Sequence, residues 1–316
     1  MKLFIKEILS FCLIFLCIIL IGIFAPVTSN VSKSLIFAQI DKDSLLLNTP
    51  SKRVILIGGS NLSFGINSAM LKDSLTLNPV NTAIHASIGL KYMLNHSEKY
   101  IKSGDIVIIS PEYSQYFGDN FYGGDELLRT IFDVSKNDCK LISFKQWIHL
   151  SPYIFTYACS KFNITSYLIK GRVKTDVYLR SSFNKFGDVD TRLIQKAEKN
   201  ISPFPTLGGE INNEAIKELL TFRDKINKKG ADMYITYPGY QAKSFQNSFK
   251  QINIIQDLLI KNGFKILGNP YRYEFQDSLL FNTPYHLNKQ GVDTRTKLLI
   301  QDLKPFLLKR NLAINH

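Results

Sequence analysis

The sequence lacks the marks of several protein classes. It contains only four cysteines in 316 residues, and after one apolar run near the N-terminus no second run of comparable length and hydrophobicity follows. These absences exclude a disulfide miniprotein and argue against a multi-pass transporter or channel. There is no block of five basic residues, no zinc-finger spacing and no RNP-like aromatic pattern, so no motif supports nucleic-acid binding.

Acidic residues are scarce relative to basic ones. The chain has 26 Asp and Glu against 39 Lys and Arg, which gives a net charge of +13 and a pI near 9.4. This balance suits an anionic partner such as a phospholipid head group, a nucleic acid or an acidic glycan, and charge alone does not choose among them. With 45% hydrophobic residues the chain can bury a substantial core, so we expect a globular protein.

The N-terminal segment predicts a membrane anchor. Residues 8–25 carry no charge, and at about 1.5 Å per residue they nearly span a hydrocarbon layer of ~30 Å. Lys2 and Lys6 precede this run, and only Lys33 follows it before Asp41, so the positive-inside rule keeps the N-terminus in the cytoplasm. We therefore expect a single-pass protein of the inner or plasma membrane with an extracytoplasmic main domain, periplasmic or at the cell surface. A cleaved signal peptide, whose apolar region is usually shorter, is the alternative.

The sequence divides into three parts. We predict a transmembrane anchor over 1–27, a spacer over 28–52 and an exported domain over 53–316. The exported domain includes an insertion at about 111–230, which is too long for a plain connection and rich in Tyr and Phe. Cys139 and Cys159 lie in the exported part, where an oxidising compartment permits a disulfide, and two free thiols are the equal alternative.

Alternating strand and helix patterns predict the fold of the exported domain. The strand candidates are residues 53–58, 79–84, 105–110, 232–237 and 264–267. Apolar residues at helical spacing over 211–229 and 249–259 indicate crossover helices, each followed by a glycine. We predict an α/β fold of three layers, α/β/α, with a parallel sheet of about five strands and a helical insertion. Ligands of such sheets bind beyond the carboxyl ends of the strands.

Residues 58–65, with the sequence GGSNLSFG, directly follow the first predicted strand. The glycines permit a tight turn that exposes the Ser60 hydroxyl at a helix N-terminus, where backbone N–H groups stabilise the negative charge that develops in acyl transfer. Ser60 is therefore the candidate nucleophile. The alternative is that Ser60 only caps the helix that follows.

Residues 285–291, with the sequence YHLNKQG, supply the candidate base near the C-terminus. Asn288 is placed to cap the last helix and to hold His286 in the loop before it. The other histidines lack partners at metal-ligand spacing, so we expect no metal and no cofactor. For His85 we favour a structural role over a place in the cavity wall.

Together the two segments resemble the SGNH/GDSL hydrolase superfamily. Residues 59–65 resemble its first motif and residues 286–291 its last, in the same order and at similar spacing. Residues 81–86, NTAIHA, match its second motif with alanine at both glycine positions. The resemblance implies a flavodoxin-like sheet, Ser60 and His286 as catalytic residues and the Ala86 amide in an oxyanion hole. Oxyanion or substrate binding is likewise assigned to Asn61, Glu112 and Tyr113.

The sequence departs from the family pattern at two places. Residues 111–113, PEY, stand where the family usually supplies an asparagine side chain. Thr283 occupies the place of the family acid, three residues before the histidine, with Asn282 and Asp277 nearby. Three arrangements remain open: a Ser-His dyad whose imidazole is oriented by a carbonyl or amide, a more distant acid such as Asp277 or Glu112, and a degenerate enzyme.

A single anchor in front of such a domain resembles the envelope-modifying branch of the superfamily. The resemblance implies a serine acyltransferase or esterase that acetylates or deacetylates a cell-envelope polysaccharide. Its expected partners are the membrane, an envelope glycan and a multi-pass membrane acyl donor, with no nucleic acid. The alternative is a catalytically degenerate protein of the same fold that binds or assembles glycans.

Overall fold

A computed structural model of the chain describes residues 1–168 and 177–314. Its main sheet has five strands, all parallel, in the order β2-β1-β3-β4-β6. These strands are β1 (Arg53–Gly58), β2 (Asn78–Asn81), β3 (Ile106–Ser110), β4 (Asp232–Thr236) and β6 (Ile266–Leu267). A small parallel sheet pairs β5 (Tyr240–Gln241) with β7 (Glu274–Phe275). The predicted mixed α/β fold with a five-stranded parallel sheet is confirmed, whereas the small sheet was not predicted.

Helices account for most of the remaining regular structure. They are α1 (Lys2–Phe24), α2 (Ala38–Asn48), α3 (Ser60–Ser63), α4 (Ser68–Leu75), α5 (Leu90–Glu98), α6 (Asp125–Arg129), α7 (Phe144–Ser160), α8 (Thr165–Leu168), α9 (Asn213–Lys228), α10 (Ala242–Asn247), α11 (Phe249–Lys261) and α12 (Lys289–Ile314). The two predicted crossover helices correspond to α9 and α11. Each is followed by a glycine with positive φ, Gly230 and Gly263, which ends the helix.

The main sheet is covered by helices on both faces. Every residue of β1 is buried, and successive side chains point to opposite faces. Ile55 and Ile57 pack in one core with α5, α9 and α11, and Val54 and Leu56 pack in another with α4 and α12. This double burial explains why the strand is an uninterrupted apolar run rather than an alternating one.

The first helix, α1, is long and apolar enough to cross a membrane. Its mean hydropathy is 2.8, and only 6% of its apolar window is buried. Among residues 1–168 and 177–314 it is the one helix with these properties. This observation agrees with the apolar run noted in the sequence, whereas the direction of insertion stays a prediction.

Two predicted segments have structure of their own. The predicted spacer 28–52 contains α2, and Ile36 and Leu46 are buried in the core beside the main sheet. The predicted insertion 111–230 contains α6, α7 and α8 as well as the crossover helix α9, and its residues 169–176 lie outside the described residues.

Cys139 and Cys159, the two cysteines of the predicted exported domain, are free thiols. Cys139 is half-buried and its Sγ lies 3.7 Å from the Ile131 carbonyl oxygen, whereas Cys159 is exposed on α7. Of the two alternatives drawn from the sequence, the structure therefore has two separate thiols.

Candidate active site

Ser60 lies where the chain leaves the main sheet. β1 ends at Gly58, and Ser60 is the first residue of α3. Glycine at position 59 leaves room for two close neighbours, because a Cβ there would lie 2.8 Å from Glu112 Oε1 and 3.0 Å from Ala86 Cβ. The glycine thus allows the loops after β1, β2 and β3 to approach one another around the Ser60 hydroxyl.

A carboxyl group holds the Ser60 hydroxyl. Ser60 Oγ donates a hydrogen bond to Glu112 Oε1 at 3.1 Å, and the Asn61 backbone N–H donates to the same oxygen at 3.2 Å. Glu112 is buried, and this burial raises the pKa of its carboxyl group above the ordinary value, although the nearby His85 and these two hydrogen bonds oppose the shift. Glu112 is therefore a partner of the serine.

His286 lies in the loop before α12, as predicted. Asn288 caps that helix, because its Oδ1 accepts the Gly291 backbone N–H at 3.1 Å, and its Nδ2 donates to the Ser278 carbonyl at 2.7 Å. These bonds fix the loop on both sides. The His286 ring stacks on the ring of Phe64 with centroids 4.0 Å apart and planes inclined by 12°.

One partner of the His286 ring is an amide. His286 Nδ1 lies 2.9 Å from Asn282 Oδ1, while Asn282 Nδ2 donates to the Tyr178 hydroxyl at 2.9 Å. The Tyr178 hydroxyl is itself 3.5 Å from His286 Nδ1. An amide oxygen only accepts, so Nδ1 carries the proton in this arrangement and Nε2 is the basic nitrogen.

The three candidates for a third member of the site have different positions. Asn282 contacts the imidazole. Asp277 accepts a hydrogen bond from Gln241 Nε2 at 2.9 Å, and Thr283 Oγ1 accepts the Tyr285 backbone N–H at 3.3 Å. Of the three side chains, Asn282 is the one that orients His286.

Two other candidates, Asn61 and Tyr113, lie beside the Ser60 loop with buried side chains. Asn61 Nδ2 donates to the Ser110 carbonyl at 3.0 Å, and its Oδ1 accepts from Arg295 at 3.0 Å, so this side chain is held beneath the loop. Tyr113 is buried, and its backbone N–H donates to the Tyr285 hydroxyl at 3.1 Å. Neither side chain lines the cavity that contains Ser60 and His286.

Ser60 and His286 line one cavity of about 650 Å³. Ala86, Glu112 and His85 also contribute to its wall, so the loops after β1, β2 and β3 meet here, at the carboxyl edge of the sheet. Six aromatic side chains complete much of the remaining wall: Phe117, Tyr153, Tyr178, Phe204, Tyr240 and Tyr285. A cavity of this volume and lining accommodates a small organic group or one to two sugar rings.

Arg295 is a site residue that the sequence reasoning missed. Its guanidinium is buried under the Ser60 loop and donates to the Asn61 carbonyl at 2.5 Å and to the Tyr237 carbonyl at 3.1 Å. Burial lowers its pKa to about 10, so it stays charged at neutral pH. A signal existed, because Arg295 interrupts the apolar face of the last helix between Val292 and Leu299.

Phe64 and Tyr178 were missed as well. Phe64 lies four residues after Ser60 within the GGSNLSFG segment, so its position beside the site was available from the sequence. Tyr178 belongs to the insertion, and no local pattern connects it to Asn282 or His286.

Across residues 1–168 and 177–314, no group of three or more His, Cys, Asp or Glu side chains is arranged to hold a metal ion. No protein-family model matches the chain, and no curated protein matches it significantly.

Proposed function

We propose that this chain is a membrane-anchored, extracytoplasmic serine acyltransferase or esterase of the SGNH type that acts on a cell-envelope polysaccharide. The observation that carries the proposal is the meeting of Ser60 and His286 in one cavity, from opposite ends of the chain, with the imidazole oriented by Asn282.

The proposed reaction follows from the chemistry of the pair. Ser60 Oγ attacks the acyl carbon and breaks the bond to the donor oxygen, while His286 Nε2 accepts the serine proton and returns it to the departing alcohol. The amides of Ser60 and Ala86 stabilise the oxyanion. The acyl-serine is then attacked by water in an esterase, or by a sugar hydroxyl in a transferase. The Asn282 amide fixes the imidazole tautomer, but it does not stabilise the imidazolium by charge.

Glu112 has a separate part in this proposal. In the resting site it accepts the Ser60 proton that the histidine must later take, so substrate binding has to redirect the hydroxyl from Glu112 to His286. The raised pKa of this carboxyl group favours its neutral form, which competes less strongly for the serine hydroxyl than a carboxylate does.

A glycan-binding protein without catalysis is the second candidate. It is favoured by the Ser60–Glu112 hydrogen bond, which occupies the nucleophile, and by the six aromatic side chains of the cavity, which offer flat apolar faces to sugar rings. In this case the Ser-His pair contributes hydrogen bonds to a bound sugar instead of reacting.

The two candidates are separated by labelling with a serine-directed fluorophosphonate. The full chain in detergent is treated with the reagent, and its intact mass is measured for the wild type, Ser60→Ala and His286→Ala, with Ser63→Ala as a control for the neighbouring buried serine. We expect one adduct on the wild type and on Ser63→Ala, and none on the other two. A folded wild type that takes up no reagent overturns the enzymatic proposal and puts glycan binding first.

A further inference from the structure

The apolar helix α1 packs against the folded body through α7. The rings of Phe15 and Phe155 stack with centroids 5.8 Å apart. Near the end of α1, a Cβ added to Gly22 would lie 2.6 Å from the Ala158 carbonyl oxygen, so the two backbones are in direct contact there. The position of α7 is therefore tied to that of α1.

The outer face of α7 is apolar and exposed. Phe144, Ile148 and Phe155 are 80%, 53% and 51% exposed, and their spacing places them on one side of the helix. The apolar surface continues beyond the helix with Phe162 and Ile164, which are 44% and 71% exposed. We call these five residues the α7 face. An exposed apolar patch of this extent marks a contact with another molecule or with a membrane.

Contacts with α1 determine the position of the α7 face along the length of α1. Phe15 precedes the end of α1 at Phe24 by about 13 Å of helix, which places Phe155 well inside the apolar length of α1. The Tyr167 hydroxyl donates to the Pro26 carbonyl at 2.9 Å, just beyond that end. Tyrosine at the end of an apolar helix is typical of the boundary between membrane and water. If α1 lies in lipid, Phe155 lies beside it at the same depth.

The opposite side of α7 belongs to the folded domain. Leu150 is fully buried, and Gln146 Nε2 donates to the Tyr122 carbonyl at 3.2 Å. Tyr153, two residues before Phe155, lines the cavity that contains Ser60. One helix thus forms part of the cavity wall on one side and carries the apolar face on the other.

We propose that the α7 face inserts into the outer leaflet of the bilayer beside α1, as a second membrane contact that holds the cavity at the membrane surface. The proposal rests on the membrane anchoring proposed for α1. It follows that the cavity receives substrates held at that surface, such as a glycan or acyl group carried on a lipid, in preference to ones that diffuse freely.

The test places a fluorophore on the α7 face of the full chain. Each variant keeps a single cysteine, and all its other cysteines are changed to serine. One variant keeps the native Cys159, which is next to Ala158 on α7. Two more variants carry Phe155→Cys or Ile164→Cys as their single cysteine. Each protein is labelled with an environment-sensitive dye and reconstituted in phosphatidylcholine–phosphatidylglycerol nanodiscs, with or without spin-labelled lipid chains as quenchers. Native Cys17 within α1 reports on the anchor, and Ile260→Cys on α11, with exposure similar to that of Phe155, is the matched control.

We expect quenching lipids to remove most of the fluorescence at Cys17, Cys159 and positions 155 and 164, and to leave that at position 260 unchanged. Quenching at Cys17 without quenching at Cys159, 155 and 164 overturns the proposal and leaves the anchor intact. Absence of quenching at Cys17 overturns the anchor and the α7 contact together. The fluorophosphonate labelling of Ser60 is measured on the same samples, so failure of the enzymatic proposal is distinguished from both.

Discussion

Two buried histidines of this protein have opposite surroundings. His96 in α5 and His286 before α12 are 3% and 5% exposed. His96 Nε2 lies 2.7 Å from Asp43 and its Nδ1 lies 2.6 Å from Asp138, whereas His286 Nδ1 has the neutral amide of Asn282. Burial alone lowers the pKa of His96, but the hydrogen bonds to Asp138 and Asp43 outweigh it and raise the pKa above its ordinary value.

The different surroundings give the two imidazoles different acid–base properties. His96 lies between two carboxylates, which raise its pKa and favour the charged ring, and it joins α2 to α5 and to the segment that carries Asp138. In the described part of the chain, His286 Nδ1 contacts the neutral Asn282 amide and the Tyr178 hydroxyl, and these contacts orient its ring. A buried histidine is thus a structural ion pair in one region and a candidate base in the other.

The largest expected effect comes from removing the candidate base. In His286→Asn we expect the rate of fluorophosphonate labelling to fall by about 10³-fold, the usual contribution of a general base, while the thermal midpoint changes little. The rate is followed by intact mass and the midpoint by circular dichroism. The matched change His96→Asn is the control, and equal loss of labelling in both variants would contradict the contrast between the two histidines.

The second effect is on stability. In His96→Ala the Asp138 carboxyl loses one partner and keeps Tyr92 and Lys99, so we expect the free energy of unfolding to fall by about 2 kcal/mol. The pKa of His96 is raised in the folded protein. Its contribution to the free energy of unfolding is therefore complete at pH values below the ordinary histidine pKa near 6.5, and it is lost as the pH rises through the pKa of the folded state. Denaturant unfolding of wild type and variant at several pH values measures this. A difference that does not shrink at high pH would show that His96 is not held as a cation.

A third change exchanges the partner of the candidate base. Asn282→Asp gives His286 a carboxylate like those at His96, so we expect its pKa to rise and the pH midpoint of labelling to move up by about one unit. In Asn282→Ala the lost hydrogen bond of ~1 kcal/mol should slow labelling by about fivefold. The pH dependence of labelling distinguishes the two, and an unchanged midpoint in Asn282→Asp would exclude Asn282 as the positioning residue.

The smallest effect concerns Glu112. Its folded pKa is raised, so stability decreases as the pH rises from the ordinary glutamate value through the folded value. In Glu112→Gln the cost of ionising a buried carboxyl disappears, and we expect the thermal midpoint at pH 8 to rise by about 2–4 °C relative to wild type, with no gain at pH 4. Scanning calorimetry at both pH values measures the difference. A gain of the same size at pH 4 would mean that ionisation of Glu112 is not its cause.

Much of the sheet was predictable because its strands are buried on both faces. The β1 segment was predicted with its observed limits, and β3 and β4 differ from the prediction by one residue at an end. β2 is shorter than predicted: it ends at Asn81, whose Nδ2 donates to the Leu62 carbonyl and to Asp188, so the next residues leave the sheet. That interruption depends on Asp188 of the insertion, and local patterns do not reveal it.

The positions of Ser60 and His286 were predictable from the sequence, whereas the residues that contact them were not. Glycine spacing and a helix cap located Ser60 and His286 from local sequence. The choice of Asn282 over Thr283 and Asp277 depends on the shape of a loop, which spacing does not determine. The engagement of Asn61 by Arg295 and of Asn282 by Tyr178 joins distant segments, and an isolated sequence has no local signal for such contacts.

The bond between Arg295 and Asn61 has a consequence for the order of events during synthesis. The two residues are separated by 234 positions, and Arg295 is the buried cation that holds the Ser60 loop. Because a chain emerges from its N-terminus onward, α1 is available to a membrane long before α12 exists, and the Ser60 loop stays unsupported until α12 docks. A nascent or C-terminally truncated chain therefore has its apolar first helix but lacks the cation that holds the Ser60 loop.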